Sequence, residues 1–264
     1  MAMAFTLALA QCSHPTDGDV VGMADRWTRE ARRRDADLVV FPESLMTPFE
    51  LDEAGFKDAA EPLDGPFGRA MGEIAREQGL WMIFTMNERN PAGGAPFNTA
   101  VVLDDAGRRR GVYRKVHLFD VGDYRESAKM SAGASIFEPL RTPFCTLGLG
   151  ICYDLRFPEL ARVQALSGCE LLVYPSAWVK GEDKLGQWRT LIRARAIEDG
   201  MFVAGLSRTG GVYLGHSFVA GPTGRALAEA DEREQLLCCR IDPDEVAETR
   251  SSVPSLRHRR PELY

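Results

Sequence analysis

Short apolar runs alternate with amphipathic, charged stretches along most of the chain. The apolar runs predict strands at residues 5–10, 38–41, 80–86, 99–103, 111–115, 146–151, 171–174, 202–206, 217–220 and 235–241. Apolar side chains at helical spacing predict helices over residues 19–34, 67–78, 158–166 and 185–199. Turn-forming sequences at residues 104–107 and 221–224 predict β-hairpins between neighbouring strands.

The order of these elements predicts one α/β domain over residues 1–264. Helices join the early strands and hairpins join the later ones, which is typical of a mixed sheet system rather than a purely parallel one. The sequence shows no internal repeat, low-complexity tract or flexible linker. In such folds reactive side chains collect where strands end and loops begin, so the strand ends are where we look for chemistry.

Composition and charge exclude several classes of partner. The chain has 32 Lys and Arg against 38 Asp and Glu, a net charge of −6, which argues against nucleic acid as a partner. No apolar run approaches the roughly 18 residues of a membrane span, and the apolar N-terminus lacks the basic segment of an export signal. The six cysteines have no paired spacing, which indicates a reducing compartment and no structural zinc. We therefore predict a cytoplasmic protein without a membrane partner or a structural zinc site.

A carboxylate and a lysine follow two of the predicted strands. Glu43 comes directly after the apolar sequence Val39–Pro42, where burial is expected to raise its pKa toward the range useful for proton transfer. The alternative is a glutamate that caps the next turn. Lys115 ends another strand and can serve as a fixed cation that stabilises an oxyanion, or it can be an ordinary exposed lysine. His117 is a possible base for a cysteine, although a structural role is favoured.

A cysteine follows a third strand. Cys152 lies between the glycine-containing strand at residues 146–151 and a helix that begins near Pro158, so its thiol gains exposure in a strand-to-helix turn. The alternative is a buried structural cysteine, which we expect for the other five, Cys12, Cys145, Cys169, Cys238 and Cys239.

Taken together, these segments resemble the nitrilase or carbon–nitrogen hydrolase superfamily. The matching sequences are FPES (41–44), YRKVHLFD (113–120), GLGICYDLRFPEL (148–160), YPSAW (174–178), RARAIED (193–199) and GHSFVAGPTG (215–224). They run through nearly the whole chain. The resemblance implies a four-layer αββα sandwich that forms homodimers or higher homo-oligomers, and a hydrolase that needs neither metal nor organic cofactor.

The resemblance also implies roles for individual residues. Glu43 would be the general base, Lys115 the oxyanion-stabilising cation and Cys152 the nucleophile, with the backbone N–H of Tyr153 as a second oxyanion donor. Many members carry a second active-site glutamate after the lysine, and Glu126 stands at that place. A small amide would then be cleaved to acid and ammonia through a thioester.

Within the superfamily the sequence is most similar to the ω-amidase and deaminated-glutathione-amidase branch, whose substrates carry a carboxylate. Four residues are candidates for substrate binding: Tyr153, Arg156, Trp178 and Arg208. Phe49 is a further candidate for the pocket wall. The weaker candidates for a cation are two lysines of the loop after Trp178, Lys180 and Lys184.

Other functions stay open on the sequence alone. An N-carbamoyl amino-acid hydrolase or a broad aliphatic amidase would use the same three residues. A nitrile hydrolase is disfavoured, because Tyr153 and Asp154 follow the cysteine where Trp and Glu are typical. A non-catalytic binding subunit of the same family is the remote alternative, since all three reactive positions are filled here.

Overall fold

A computed structural model describes residues 3–48 and 51–263. The strands are β1 (Phe5–Gln11), β2 (Leu38–Val40), β3 (Trp81–Glu88), β4 (Phe97–Leu103), β5 (Arg109–Arg114), β6 (Asp120–Val121), β7 (Tyr124–Arg125), β8 (Leu140–Arg141), β9 (Thr146–Leu149), β10 (Leu171–Ser176), β11 (Phe202–Ser207), β12 (Phe218–Ala220), β13 (Ala226–Glu229) and β14 (Gln235–Ile241). The α-helices are α1 (Val20–Arg33), α2 (Glu53–Asp58), α3 (Pro66–Gln78), α4 (Pro158–Leu166), α5 (Lys184–Asp199) and α6 (Asp244–Ser252). Short 3-10 helices cover Glu126–Ala128, Cys152–Arg156 and Pro261–Leu263.

Most of the strands form two six-stranded mixed sheets. The first has the order β14-β1-β2-β3-β4-β5, and the second has the order β13-β12-β11-β10-β9-β8. Each sheet has three parallel strands at its centre, β1, β2 and β3 in the first and β9, β10 and β11 in the second. The outer strands pair antiparallel. The prediction of a mixed sheet system is confirmed.

The two sheets face each other, and helices cover their outer faces. Alternation along β1 shows this arrangement, because Leu7 and Leu9 pack in the core between the sheets whereas Ala8 and Ala10 pack toward α1 and α3. Helices α4 and α5 cover the second sheet. The layers are therefore helix, sheet, sheet and helix, the αββα sandwich that the resemblance implies.

The predicted elements agree closely with the structure. All ten predicted strands and all four predicted helices are present, with ends that differ by at most two residues. Both predicted hairpins are present, between β4 and β5 and between β12 and β13. The elements that were not predicted are short or weakly patterned, namely α2, α6, β6, β7, β8 and β13. No helix in the described part of the chain is long and apolar enough to cross a membrane.

Candidate active site

Three strand ends place Glu43, Lys115 and Cys152 at one cavity. Glu43 follows β2, Lys115 follows β5 and Cys152 follows β9, so the first sheet contributes two of the residues and the second sheet the third. The cavity has a volume of about 370 Å³, within the range of small-molecule sites. Its wall consists of Glu43, Lys115, Phe119, Tyr124, Lys129, Cys152, Tyr153, Arg156, Ala177, Trp178, Val179, Lys184, Val212 and Tyr213.

Glu43 is held in a fixed orientation in a buried turn. The hydroxyl of Thr85 donates to the carbonyl of Pro42 at 2.8 Å, which ties the turn to β3. The Glu43 side chain is 1% exposed. Its Oε1 accepts from Lys115 Nζ at 2.9 Å and from Asn98 Nδ2 at 2.8 Å, and its Oε2 accepts from the backbone N–H of Ala177 at 2.8 Å.

The ammonium group of Lys115 lies between two buried carboxylates. Lys115 Nζ is 2.9 Å from Glu43 Oε1 and 2.8 Å from Glu126 Oε2, and all three side chains are buried. Glu126 also accepts from the backbone N–H of Phe119 at 2.7 Å. The backbone N–H of Lys115 donates to the carbonyl of Asn98 at 2.9 Å, which fixes the lysine against β4. One cation and two anions leave this cluster with a net negative charge.

Cys152 has an unusual backbone conformation. It is a non-glycine residue at a φ of 46°, in the left-handed region that side chains with a Cβ rarely adopt. Such strain persists only where the surroundings hold it, and it is common at functional sites. The side chain is half-buried and lines the cavity. Because a 3-10 helix begins here, the first N–H groups, including that of Tyr153, have no acceptor within the helix.

The carboxylate of Asp154 accepts hydrogen bonds that hold the turn at Cys152. Its Oδ2 accepts from the backbone N–H of Ile151 at 2.8 Å and from the hydroxyl of Tyr113 at 2.7 Å. Its Oδ1 lies 2.7 Å from Nδ1 of His117 and accepts from the backbone N–H of the same residue. The His117 ring stacks on Phe157 at 3.6 Å and does not line the cavity, which agrees with the structural role favoured for it.

The ionisation of the cluster follows from its charges. Burial alone would raise the pKa of Glu43, but the charge and hydrogen bond of Lys115 outweigh it and hold that pKa below its usual value. The prediction of a raised pKa for Glu43 is therefore wrong, because the ammonium stabilises the carboxylate more than burial destabilises it. The two carboxylates around Lys115 raise its pKa despite burial. Burial, and then the charge of Glu43, raise the pKa of Cys152 well above its usual value.

The four predicted substrate-binding residues divide into two groups. Tyr153, Arg156 and Trp178 line the cavity with Cys152. Arg208 does not reach the cavity wall: its side chain is 1% exposed and lies behind Tyr213, with the guanidinium carbon 5.8 Å from the ring centre. Phe49 lies outside the described residues.

Several residues of the site were not predicted from the sequence. Asn98 Nδ2 lies 2.8 Å from Glu43 and 3.4 Å from Glu126, so it connects both carboxylates. The feature of the sequence that could have indicated Asn98 is that it is an amide residue within the otherwise largely apolar strand β4. Lys129, which was not predicted, and Lys184, one of the two weaker candidates for a cation, bring two further cations to the wall. No sequence pattern distinguishes them from surface lysines, because their direction depends on the loops that carry them.

The remaining cysteines and the metal-binding residue types offer no second site in the described residues. Cys12, Cys145, Cys169 and Cys239 are buried, as predicted, whereas Cys238 is only half-buried. Residues 3–48 and 51–263 contain no group of three or more His, Cys, Asp or Glu that could hold a metal ion.

The cavity brings together a thiol, a carboxylate that can accept its proton, and an adjacent cation. Such a set can perform nucleophilic attack on a carbonyl carbon.

A family model for carbon–nitrogen hydrolases matches residues 6–251. The chain belongs to the carbon–nitrogen hydrolase family. It is 35% identical to Omega-amidase NIT2 of Mus musculus over 271 aligned positions, which cover 98% of this chain and 96% of the mouse protein. These similarities confirm the predicted family and the prediction of an amidase-type enzyme that acts on carbon–nitrogen bonds.

Solved structures of the family share this fold. The carbon–nitrogen hydrolase of Helicobacter pylori G27 aligns with a TM-score of 0.93 and 28% identity, covering 99% of this chain and 97% of that one. A glutamate-to-glutamine variant of the amidase from Nesterenkonia sp. AN1, with acrylamide added to its active-site cysteine, aligns with a TM-score of 0.82 and 25% identity. That alignment covers 99% of this chain and 98% of the Nesterenkonia protein. The predicted nitrilase-like fold class is confirmed.

Proposed function

We propose that this carbon–nitrogen hydrolase cleaves small carboxylated amides to acid and ammonia through a thioester on Cys152, in the manner of an ω-amidase. One observation carries the proposal: Cys152, Glu43 and Lys115 line one cavity, and Glu43 accepts a hydrogen bond from Lys115 there at 2.9 Å. The active-site cysteine of the Nesterenkonia amidase, which takes up acrylamide, is a precedent for a reactive thiol in this fold.

The first half of the reaction forms the thioester. Glu43 accepts the thiol proton as Sγ of Cys152 attacks the amide carbon, and the carbonyl oxygen becomes an oxyanion. Lys115 and the backbone N–H of Tyr153 are the donors for that oxyanion. Protonated Glu43 then gives its proton to the amide nitrogen, the carbon–nitrogen bond breaks, and ammonia leaves.

The second half of the reaction uses the same glutamate. Glu43 accepts a proton from a water molecule as its oxygen attacks the thioester carbon, and a second oxyanion forms at the same donors. When this intermediate collapses, the carbon–sulfur bond breaks and the acid is released. The proton held by Glu43 returns to the sulfur of Cys152, so the enzyme regains its starting state.

The ionisation of the resting site agrees with this sequence. Glu43 is a carboxylate, Lys115 is an ammonium and Cys152 is a neutral thiol, because the pKa shifts of all three favour those forms at neutral pH. The thiol therefore loses its proton as it attacks rather than beforehand. Glu126 and Asn98 act as positioning residues, since they hold Lys115 and Glu43 through hydrogen bonds and do not line the cavity.

The charges at the cavity wall support a substrate that carries a carboxylate. Among the described residues, four basic residues and one acidic residue line the cavity. Lys115 pairs with Glu43 and Glu126, a set with one net negative charge, and the three positive charges of Arg156, Lys129 and Lys184 exceed it. A small amide with a carboxylate at its far end fits both the charge and the volume of about 370 Å³. The mouse relative that is named an ω-amidase supports the same substrate class.

Release of ammonia from a panel of amides tests the proposal. The panel contains succinamate, 2-oxoglutaramate, butyramide and N-carbamoyl-β-alanine, with the Cys152→Ala variant as the control for each. We expect the highest kcat/KM for the carboxylated amides and no release by the variant. A higher kcat/KM for the carbamoyl compound would indicate an N-carbamoyl amino-acid hydrolase. Turnover of butyramide equal to that of the carboxylated amides would indicate a broad aliphatic amidase. Absence of release from every compound would favour a non-catalytic binding protein.

A further inference from the structure

Two cations lie close to the aromatic ring of Trp178 at the wall of the cavity that Cys152 lines. The guanidinium carbon of Arg156 lies 4.8 Å from the ring centre, and Nζ of Lys184 lies 5.9 Å from it. Trp178 itself is 4% exposed and packs against Trp188 at 5.0 Å, so it gives both cations a rigid support. Cys152 lines the same cavity.

Neither of these cations forms an ion pair with a residue that the structure describes. Among residues 3–48 and 51–263, no carboxylate lies within salt-bridge distance of Arg156 or Lys184. Arg156 donates one hydrogen bond, to Oε1 of Gln187 at 2.8 Å, which leaves most of its donors for a ligand. Burial, and then the nearby charge of Arg156, lower the pKa of Lys184. Two like charges at a cavity wall indicate that the site is built for an anion.

Two other lysines near the cavity, Lys129 and Lys180, differ from Lys184 because their ammonium groups have hydrogen-bond acceptors in the protein. Lys129 donates to the carbonyl of Leu51 at 2.9 Å and lies over the rings of Phe56 and Tyr124, so its ammonium is already satisfied. Lys180 is exposed, does not line the cavity and donates to the carbonyl of Gly211 at 3.1 Å. Lys184 is thus the lysine of this cavity whose ammonium has no oxygen acceptor among the described residues, since its contact is with the ring of Trp178.

We propose that Lys184 and Arg156 together form a carboxylate subsite over the ring of Trp178. The carboxylate of an ω-amide binds between the two cations, and its amide end reaches Cys152. The planar guanidinium can hold the carboxylate through two hydrogen bonds, and the ammonium adds a point charge from the other side. This inference rests on the proposed function and adds to it a second specificity-determining residue, Lys184.

The first test compares Lys184→Gln with Lys180→Gln, a matched change four residues away in the sequence. Steady-state kinetics are measured with succinamate and with butyramide, in which a methyl group replaces the carboxylate. We expect Lys184→Gln to raise KM for succinamate about tenfold or more and to change KM for butyramide less than about twofold. Lys180→Gln should match the wild type on both substrates. Equal effects of Lys184→Gln on the two amides, or no effect on either, would overturn the proposal.

A double-mutant cycle tests whether the two cations act on one carboxylate. Arg156→Gln and the double variant Arg156→Gln/Lys184→Gln are measured on succinamate beside the single Lys184 variant. Residues that share one ligand group are coupled, so we expect the loss in the double variant to differ from the product of the two single losses by about threefold or more. Independent, multiplicative losses would contradict a shared subsite.

Calorimetric binding of glutarate separates this inference from the proposed function, because it needs no turnover. The measurement uses the Cys152→Ala variant with and without Lys184→Gln. We expect Lys184→Gln to weaken glutarate binding about tenfold. If this loss is seen although the wild type hydrolyses no amide, the subsite stands and the proposed function fails. If amides are hydrolysed but glutarate binding does not depend on Lys184, the subsite fails and the amidase stands.

Discussion

Oδ2 of Asp154 accepts a hydrogen bond from the backbone N–H of Ile151 at 2.8 Å and thereby closes the turn that holds Cys152 at a φ of 46°. The same carboxylate also binds Tyr113 and His117, so four donors converge on one buried side chain. A strained backbone needs such support, because the turn would otherwise relax toward an ordinary conformation. Asp154 therefore positions the thiol from outside the cavity.

We expect Asp154→Asn to reduce both stability and turnover. An amide has one acceptor oxygen, so at least one of the buried donors loses its partner, at a cost of about 1–3 kcal/mol in the free energy of unfolding. kcat should fall while KM changes little, since the cavity wall is intact. Asp104→Asn is the matched control, because Asp104 is also buried and accepts backbone N–H groups in the hairpin between β4 and β5. Urea denaturation and steady-state kinetics check both variants. A fall in kcat of the same size in the control would contradict a positioning role.

Removal of the Lys115 ammonium, which Glu43 and Glu126 share, should destabilise the protein. Lys115→Met leaves Glu43 and Glu126 buried without a counter-charge, and breaking such a buried pair costs about 3–5 kcal/mol. The double variant Lys115→Met/Glu126→Gln should recover part of that loss, since one of the stranded charges is gone, but it should recover no activity. Chemical denaturation and ammonia release measure the two quantities. If the second substitution restores turnover, Lys115 is not the oxyanion-stabilising cation.

The sequence analysis singled out Glu43, Lys115 and Cys152 because each stands at a strand end, and strand ends can be read from local hydrophobic periodicity. The family resemblance of the combined segments then favoured catalytic roles for them over structural ones. It could not give the sign of the pKa shift of Glu43, because that depends on Lys115 and on Ala177, 72 and 134 residues away along the chain. The apolar strand before Glu43 predicts that its side chain is buried. The presence of Lys115 as its counter-charge depends on the tertiary structure and cannot be read from the local sequence.

The two arginines that were predicted to bind the substrate show the same limit. Arg156 and Arg208 both follow a strand or a strand-to-helix turn, and the sequence gives no reason to separate them. The structure places one at the cavity and the other behind Tyr213, because side-chain direction is set by loop geometry. Lys184 was ranked below both arginines because a planar guanidinium can bind a carboxylate through two hydrogen bonds.

The different positions of these arginines predict different kinetics. Arg156→Leu should lower the ratio of kcat/KM for succinamate to that for butyramide by about tenfold or more, because only the charged substrate loses a charge-assisted hydrogen bond. Arg208→Leu should leave that ratio within about twofold of the wild type. The measurement is the ratio itself, which is insensitive to the fraction of active protein. A selective loss in the Arg208 variant would show that this arginine does reach the substrate.

The pH dependence of stability should reflect the lowered pKa of Glu43. A carboxyl whose pKa is lower in the folded state stabilises the fold above its unfolded value of 4.5, and this contribution is lost as the pH falls through the folded value. The difference in unfolding free energy between the wild type and Glu43→Gln should therefore narrow as the pH falls below 4.5. Denaturant titrations between pH 3 and pH 7, about four points, suffice to check it. A difference that widens toward acid pH would mean that the folded protein raises the pKa of Glu43 instead.

Glu43→Gln also separates a general base from a group that merely ionises the thiol. Loss of the base should lower kcat at least about a hundredfold. The charge of Glu43 raises the pKa of Cys152 and the charge of Lys115 lowers it, so removal of Glu43 should favour the thiolate. Alkylation of Cys152 by iodoacetamide near pH 8 should then be as fast as in the wild type or faster. Slower alkylation in the variant would indicate that Glu43 generates a resting thiolate.

Mass spectrometry of the acid-quenched enzyme during turnover tests the central claim most directly. Wild-type protein is mixed with excess succinamate, quenched within the steady state and digested, and the peptides that contain Cys152 and Cys169 are compared. The account predicts a succinyl group on Cys152 that hydroxylamine removes, an unmodified Cys169, and no adduct or ammonia release in Cys152→Ala. An acyl group on any other residue, or hydrolysis by Cys152→Ala at the wild-type rate, would contradict it.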